Sequence, residues 1–349
     1  MRIVVVGASG NVGTSTLAAL ANDPEVDSIV GVARRIPKRP FPKTEWVAAD
    51  VTASPLTDIF AGADAVIHLA WLIQPSRDLE TVRRVNVDGS RRVFQAVRDT
   101  GVPALVYASS VGAYSPGPKD RRVDEGWPTE GIDSSYYARH KVETERMLDA
   151  FEHKNPAIRV VRLRPGLIFK RDAATEIRRL FAGPFLPRAL LRPRLIPVVP
   201  RIPRLVFQAV HSLDAGEAYR LAATRDVRGA FNIAADPVLD PDELGRMLDA
   251  RPVPLPATAL RMAADLTWRL RLQPSSPGWL DMALAVPLLD TTRAHTELGW
   301  TPKRTATEAL LELIDGMREG AGTPTPPLDP GTSGPARVRE LLTGVGNRA

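Results

Sequence analysis

Tyr137 and Lys141 have side-chain types and a spacing that suit proton transfer. Residues four apart lie on one face of a helix, so the phenol and the ammonium can point together. A neighbouring positive charge favours the phenolate and brings the tyrosine pKa from about 10 toward the neutral range. The pair is a candidate for acid–base catalysis at a carbonyl or an alcohol. The alternative is a solvated lysine beside a packed tyrosine.

Ser110 is a second candidate, because it closely follows the apolar run Ala104–Ala108. Ligands of open α/β sheets bind at the carboxyl ends of the strands, so a serine there lies near a bound ligand. Its hydroxyl can donate to a carbonyl oxygen and stabilise the negative charge that develops on it. The alternative is a serine that ends the strand and caps the next turn.

The N-terminal segment predicts a dinucleotide site. The apolar run Ile3–Val6 leads into a stretch with glycines at positions 7, 10 and 13, and a helical pattern follows from Thr14 to Ala21. The first glycine permits a tight turn, the second lets the backbone approach a pyrophosphate, and the third allows close helix–strand packing. The helix presents unpaired N–H groups to the phosphates. The residues expected to bind the cofactor here are Gly7, Ser9, Gly10, Asn11, Val12 and Gly13.

The end of the second predicted strand bears on the choice of cofactor. An acidic residue at this place accepts hydrogen bonds from the ribose 2′-hydroxyl of NAD. This chain instead has Arg34 and Arg35 there, with Lys38 and Arg39 close behind. Because a guanidinium suits a 2′-phosphate, we expect Arg34 and Arg35 to bind the cofactor and NADP(H) to be preferred over NAD(H). The alternative is a solvated basic loop.

These candidates need a sheet whose strands all end at one edge. Short apolar runs alternate with helical patterns, at Ile29–Ala33, Ala65–Ala70, Ala104–Ala108 and Arg159–Arg162. Such alternation predicts the α/β class, with a Rossmann-type, doubly wound parallel sheet. Residues 1–170, with returning segments near 205–235, are assigned to this dinucleotide-binding domain.

The C-terminal part has a different pattern. Residues 178–204 contain seven arginines, no acidic residue and many prolines, which excludes a continuous helix. Residues 171–318 are therefore expected to form mainly a smaller, irregular substrate cap. Residues 320–349 are rich in Gly, Pro, Thr and Ser over their first half and are predicted to be a flexible tail.

The composition is typical of a soluble cytoplasmic protein. The 349 residues include no cysteine, which suits a reducing compartment. They show no signal peptide and no apolar run of the ~18 residues that a membrane span needs. The net charge of +6 is compatible with an anionic small-molecule ligand. We expect no metal and no nucleic acid; peripheral membrane contact through the cap arginines is an alternative that we do not favour.

The chain resembles the extended type of the short-chain dehydrogenase/reductase superfamily, the group called NAD-dependent epimerase/dehydratase-like. The resemblance spans about residues 1–315 and rests on Gly7/Gly10/Gly13, Asp50-Val51, His68-Leu69-Ala70, Asn86, Ser110, Tyr137/Lys141, Arg164-Pro165, His211–Asp214 and Leu298–Pro302. It implies that Ser110, Tyr137 and Lys141 are the catalytic trio. The last two would also contact the cofactor.

The same resemblance implies further cofactor contacts. Asp50 and Val51 would lie beside the adenine. His68, Leu69 and Ala70 would line the ribose and nicotinamide half. Asn86 would have a structural role and hold backbone near the site, and a homodimer is expected at the level of the family.

Two departures from the family pattern bear on the reaction. Ser110 is followed by Val111-Gly112, without the carboxylate that nucleotide-sugar dehydratases carry there. Arg164-Pro165 is followed by Gly166-Leu167, without the asparagine common in sugar-nucleotide enzymes. The resemblance therefore implies hydride transfer between a nicotinamide and a ketone/alcohol substrate, with Tyr137 as acid or base. An epimerase that acts through a keto intermediate and a non-catalytic dinucleotide-sensing regulator remain alternatives. The candidate substrate contacts are Trp71, Gln74 and Gly166.

Overall fold

The computed structural model describes residues 1–74, 77–182 and 197–329. Its strands are β1 Arg2–Val6, β2 Ser28–Ala33, β3 Thr44–Ala48, β4 Ala65–His68, β5 Ala104–Ala108, β6 Arg122–Val123, β7 Arg159–Pro165, β8 Leu167–Phe169, β9 Val198–Arg201, β10 Phe207–His211, β11 Gly229–Ile233, β12 Ala235–Leu239, β13 Arg251–Pro254 and β14 Leu288–Leu289.

The helices are α1 Asn11–Ala21, α2 Leu56–Phe60, α3 Leu79–Arg83, α4 Gly89–Thr100, α5 Tyr136–Lys154, α6 Ala174–Ile177, α7 Ser212–Thr224, α8 Pro241–Leu248, α9 Ala257–Arg269, α10 Pro277–Ala285, α11 Thr292–Thr296 and α12 Ala306–Glu319. Single π-helical turns at Arg84–Asp88 and Arg178–Ala182 follow α3 and α6.

Seven strands form one parallel sheet in the order β11-β7-β5-β4-β1-β2-β3. Side chains alternate between its two faces. Ile3 and Val5 pack on one face with residues of α1 and α7, while Val4 and Val6 pack on the other with residues of α4 and α5. Burial on both faces explains why the strands read as continuous apolar runs. The predicted doubly wound α/β fold is confirmed.

The chain returns to this sheet late. After β10, helix α7 packs against α1, and β11 joins the sheet edge beside β7. The predicted return near 205–235 lies here. The smaller sheets, β12-β10-β8, β13-β9 and β14-β6, are built mostly from later residues. The predicted domain boundaries themselves stay a prediction.

The start of the predicted tail is packed against the body in this structure. Leu328 and Thr325 are fully buried, and Thr175 donates from its backbone N and its hydroxyl to the carbonyl of Ala321. The buried side chain of Leu328 and the hydrogen bonds to Ala321 hold residues 320–329 against the rest of the chain. This packing differs from the flexibility expected for the start of the tail. Residues 330–349, and 183–196 of the arginine-rich segment, lie outside the described residues.

Candidate active site

A cleft with a volume of about 670 Å³ lies at the carboxyl edge of the parallel sheet. The ends of β1, β2, β3 and β4 form one wall, and residues from α6 onward form the other. The sequence-predicted residues that line it are Gly7, Ser9, Gly10, Arg34, Arg35, Asp50, Val51, Leu69, Ala70, Trp71 and Gln74. Strand ends of a parallel sheet meet at one edge, so these distant segments converge.

The glycine loop has the shape of a phosphate cradle. Gly7 has φ +88°, and a Cβ there would lie 2.7 Å from the backbone N of Ala70. A Cβ at Gly13 would lie 2.4 Å from the carbonyl O of Gly7, so this glycine lets α1 approach the loop. A Cβ at Gly10 would meet only one atom, at 3.6 Å. The protein itself does not fill the space above Gly10, which fits a bound pyrophosphate.

Helix α1 begins without a side-chain cap, since Gly10 occupies the N-cap position. The first N–H groups of a helix have no intrahelical partners, and with the helix dipole they favour an anion. Asn11 and Val12 lie in this first turn, but their side chains do not line the cleft. The Asn11 amide donates to the carbonyl of Ile168 at 3.2 Å instead.

Two arginines and an aspartate mark the far end of the cleft. Arg34 and Arg35 are exposed and line the cleft directly after β2. Asp50 follows β3, and one of its carboxylate oxygens accepts from the Thr52 backbone N at 2.8 Å and from the Thr52 hydroxyl at 2.7 Å. Burial alone would raise the pKa of Asp50, but these hydrogen bonds and the charge of Arg34 lower it.

Ser110, Tyr137 and Lys141 come together where β5 ends and α5 begins. The Tyr137 ring packs against the turn that follows Ser110, where a Cβ at Gly112 would lie 3.1 Å from the ring, and the Ser110 oxygen accepts from the backbone N of Gly112 at 3.0 Å. The Lys141 ammonium lies 5.7 Å from the centre of the Tyr137 ring. Ser110 thus caps the next turn, as the alternative held, and its catalytic role stays a prediction.

Trp71 lies between this trio and the cleft. The Lys141 Nζ is 3.4 Å from the centre of the Trp71 ring, a cation–π contact. The same ring meets Tyr137 edge-on, with centroids 5.9 Å apart. Lys141 donates to the carbonyl of Ala108 at 2.7 Å. Trp71, which also lines the cleft, therefore packs directly against the Lys141 ammonium.

Burial sets the pKa values of Tyr137 and Lys141. It raises the pKa of Tyr137 to about 12, against the opposite effect of the nearby Ser110 hydroxyl. It lowers the pKa of Lys141 well below its usual range, against the negative charge of Glu145. This differs from the expected lowering of the tyrosine pKa by Lys141, because the ammonium is bonded to Ala108 and covered by Trp71. The Tyr137 phenol is therefore protonated at neutral pH.

Asn86 has the structural position that the resemblance implied. It is fully buried in the π-helical turn. Its side-chain oxygen Oδ1 accepts from the backbone N of Leu72 at 2.7 Å, and its side-chain nitrogen Nδ2 donates to the backbone carbonyl of Leu72 at 2.8 Å. This two-bond clamp holds the loop after β4. Trp71 and Gln74 on that loop are positioned by it.

Two expected contacts lie away from the cleft. His68 is buried, its Nε2 is 2.9 Å from the Ser90 hydroxyl, and burial lowers its pKa to about 3. It shares the sheet face of Val66, two residues earlier, which packs under α4. Gly166 lies between β7 and β8, and a Cβ there would be 2.6 Å from the Gln208 carbonyl. Because Gly166 has no side chain, its backbone can pack directly against the backbone of Gln208.

The second wall of the cleft contains residues that motif reading missed. Glu176, Arg179, Leu180 and Pro327 line it. Burial raises the pKa of Glu176 to about 7, against the charges of Arg179 and Lys170. Gln74 connects the walls, since its amide donates to the Leu180 carbonyl at 2.8 Å. No motif signals these positions, because only the return of the chain places them here.

The described part of the chain offers neither a cluster of metal ligands nor a membrane-spanning helix. Within residues 1–74, 77–182 and 197–329, no cluster of three or more His, Asp or Glu side chains could hold a metal ion. Within the same ranges, no helix combines the length and the apolar character needed to cross a membrane.

Comparison with known proteins defines the family. The profile of the NAD dependent epimerase/dehydratase family matches residues 3–234. The chain therefore belongs to this family, as the resemblance predicted.

Individual relatives are distant. An uncharacterized protein of Mycobacterium tuberculosis is 27% identical over 325 residues, 92% of this chain and 31% of that protein. The chain thus spans about a third of the length of that relative. The 4-hydroxy-2-methyl-3-oxo-4-farnesyl-3,4-dihydroquinoline-1-oxide ketoreductase of Stigmatella aurantiaca is 26% identical, covering 92% of this chain and 98% of that one. The solved UDP-glucose 4-epimerase of Thermotoga maritima has a TM-score of 0.67 at 20% identity, with 91% and 99% coverage, which shows a common fold.

Proposed function

We propose that this protein is an NAD(P)-dependent oxidoreductase that reduces a ketone, with Tyr137 as the proton donor. The observation that carries the proposal is the grouping of Ser110, Tyr137 and Lys141 where β5 ends and α5 begins, beside a cleft that contains an open glycine cradle. Family membership supports a nicotinamide dinucleotide as the cofactor.

The residues divide the work by their chemistry. A bound nicotinamide supplies or accepts the hydride. Ser110 donates a hydrogen bond to the substrate oxygen as negative charge develops. Tyr137, whose raised pKa keeps the phenol protonated, delivers the proton to that oxygen. Lys141 stabilises the phenolate that remains. Because its raised pKa keeps the phenol protonated at neutral pH, Tyr137 holds the proton that reduction of a ketone requires.

The cofactor preference that we propose is NADP(H). Arg34 and Arg35 line the cleft after β2, and the carboxylate of Asp50, which lines the cleft after β3, is bonded to Thr52. A charge-assisted bond contributes about 1.5–3 kcal/mol, so Arg34→Ala is expected to weaken NADPH binding by about 10-fold or more and to leave NADH binding within about twofold. Titration by cofactor fluorescence measures both; equal losses for the two cofactors would contradict the preference.

Reduction is favoured over dehydration by the surroundings of Ser110. Gly112 is so close to neighbours that a Cβ would lie 2.9 Å from the sulfur of Met282 and 3.1 Å from the Tyr137 ring. The turn after Ser110 therefore carries no carboxylate and, at Gly112, has no space for one. The ketoreductase from Stigmatella aurantiaca, similar over nearly its whole length, adds support for reduction.

Epimerisation is the second candidate, because similar folds include UDP-sugar 4-epimerases. Ketone reduction consumes NADPH, whereas an epimerase interconverts a sugar without net change in the cofactor. The absorbance of NADPH with a panel of ketones, and the product composition from UDP-glucose with NAD, separate the two.

Tyr137→Phe is the decisive variant. Loss of a general acid is expected to reduce kcat by about 10²–10⁴-fold, with the dissociation constant of NADPH changed by less than about threefold. Cofactor binding without turnover of any ketone or UDP-sugar by the natural protein would instead favour a dinucleotide-sensing regulator. A Tyr137→Phe variant as active as the parent would refute the assigned role.

A further inference from the structure

The surroundings of Tyr137 carry information about the substrate. The Trp279 ring lies against Tyr137 with centroids 4.9 Å apart and a tilt of 38°. Trp71 meets the same tyrosine edge-on from another direction. Met282, Ile132 and Val111 complete an apolar cluster around these rings. The face of the proposed acid is therefore lined mainly by aromatic and aliphatic groups.

The position of Trp279 is fixed by close packing of α10 against the start of α5. A Cβ at Gly278 would lie 2.2 Å from the carbonyl of Ser134, so only a glycine permits this approach. One turn later the sulfur of Met282 is 3.8 Å from the Ser135 hydroxyl. Both ends of this turn are thus packed against the start of α5, which places the Trp279 backbone beside Tyr137.

Charged groups near Tyr137 are already engaged. The Lys141 ammonium is bonded to the Ala108 carbonyl and covered by Trp71. The nearby carboxylate of Glu145 is bound by Arg162 and Arg164 on the other side of the strand end. A charged or many-hydroxyl group placed against Trp279 would lose its water without gaining partners there. A flat apolar group would gain ring contacts instead.

We propose that Trp71 and Trp279 are specificity-determining residues, and that the reacting ketone carries an uncharged apolar group, best an aryl ring, next to its carbonyl. This inference rests on the proposed ketone reduction. It assigns the substrate class from the two indoles and from the absence of a free charge among the described side chains that contact the Tyr137 ring.

A matched substrate pair tests the inference with the natural protein. Methyl 4-acetylbenzoate and 4-acetylbenzoate share one ketone and one ring and differ in charge. With NADPH, we expect kcat/KM for the ester to exceed that for the carboxylate by about tenfold or more, and dihydroxyacetone to be a poorer substrate than either. Equal kcat/KM for ester and carboxylate, or preference for dihydroxyacetone, would overturn the substrate class.

Substitutions at Trp279 test the residue itself. Trp279→Ala is expected to raise KM for the ester about tenfold and to leave KM for dihydroxyacetone and the dissociation constant of NADPH unchanged. Trp279→Phe keeps a ring and should restore most of the loss. A folded Trp279→Ala protein with an unchanged KM for the ester would refute the assignment. If no ketone consumes NADPH, the proposed function and this inference fail together; turnover without preference for the ester removes this inference alone.

Discussion

Replacing Glu145 with glutamine tests the ion cluster behind the proposed catalytic residues. Glu145 lies on α5 one turn after Lys141 and is almost fully buried. Its two oxygens accept from Arg164 at 2.9 Å each, and one also accepts from Arg162 at 3.0 Å. The hydroxyl of Ser109, next to Ser110, donates to it as well. The cluster therefore connects two strand ends with the helix that carries Tyr137.

The size of the effect follows from the proton affinity of Glu145. Burial alone would raise its pKa, but the hydrogen bonds and charges of Arg164 and Arg162 lower the pKa from 4.5 to about 2. Each pKa unit is worth about 1.4 kcal/mol, so ionisation of Glu145 contributes about 3 kcal/mol of stability. Glutamine also leaves two buried guanidinium groups without their shared anion. We expect a loss of about 3–5 kcal/mol at pH 7.

The effect has a defined pH window. Because the folded-state pKa lies below the unfolded one, the contribution is present above pH 4.5 and disappears as the pH falls toward 2. Urea unfolding of the parent and of Glu145→Gln, followed by fluorescence at several pH values, measures the difference. That difference should shrink progressively below pH 4.5.

Glu152→Gln is the matched control. Glu152 accepts from the same Arg162, at 2.6 Å, but its side chain is 32% exposed, so its loss should cost less than about 1 kcal/mol. Equal losses for the two variants would refute the reasoning. A difference between the parent and Glu145→Gln that stays constant from pH 7 to pH 2.5 would refute it too.

Three further predictions concern the cleft. Gly13→Ala should lower the stability by about 1–3 kcal/mol, because its Cβ would lie 2.4 Å from the Gly7 carbonyl. Gly10→Ala should keep the melting temperature and weaken dinucleotide binding at least about tenfold. Unaltered binding by Gly10→Ala would contradict the phosphate cradle. Asn86→Asp should cost about 1–3 kcal/mol at pH 7 in denaturant unfolding, because a carboxylate cannot donate to the Leu72 carbonyl; undiminished stability would refute the clamp. Glu176, with a pKa of about 7, gains negative charge as the pH rises from 6 to 8, so cofactor binding should weaken over that range in the parent and remain constant in Glu176→Gln; parallel profiles would contradict this.

Local patterns were enough to predict much of the fold and part of the site. The alternation of short apolar runs with helical segments follows from burial on both faces of a parallel sheet, which needs no knowledge of distant contacts. The glycine at position 13 reflects a close approach between the loop and the helix that follows it, whereas the glycine at position 7 also leaves room for the backbone of Ala70. Tyr137 and Lys141 share a helix face because their spacing is four.

Only the tertiary structure decided which side chains surround the candidate site residues. Glu176 and Pro327 line the cleft, and Trp279 reaches Tyr137, because the chain folds back onto the sheet edge from far along its length. The cover of Trp71 over Lys141 and the raised pKa of Tyr137 depend on desolvation, which is a property of the assembled site. The sequence determined which residues are proposed to carry the chemistry, since their spacing is local. The packed structure determined their proton affinities and neighbours, since burial and contacts between distant segments exist only after folding.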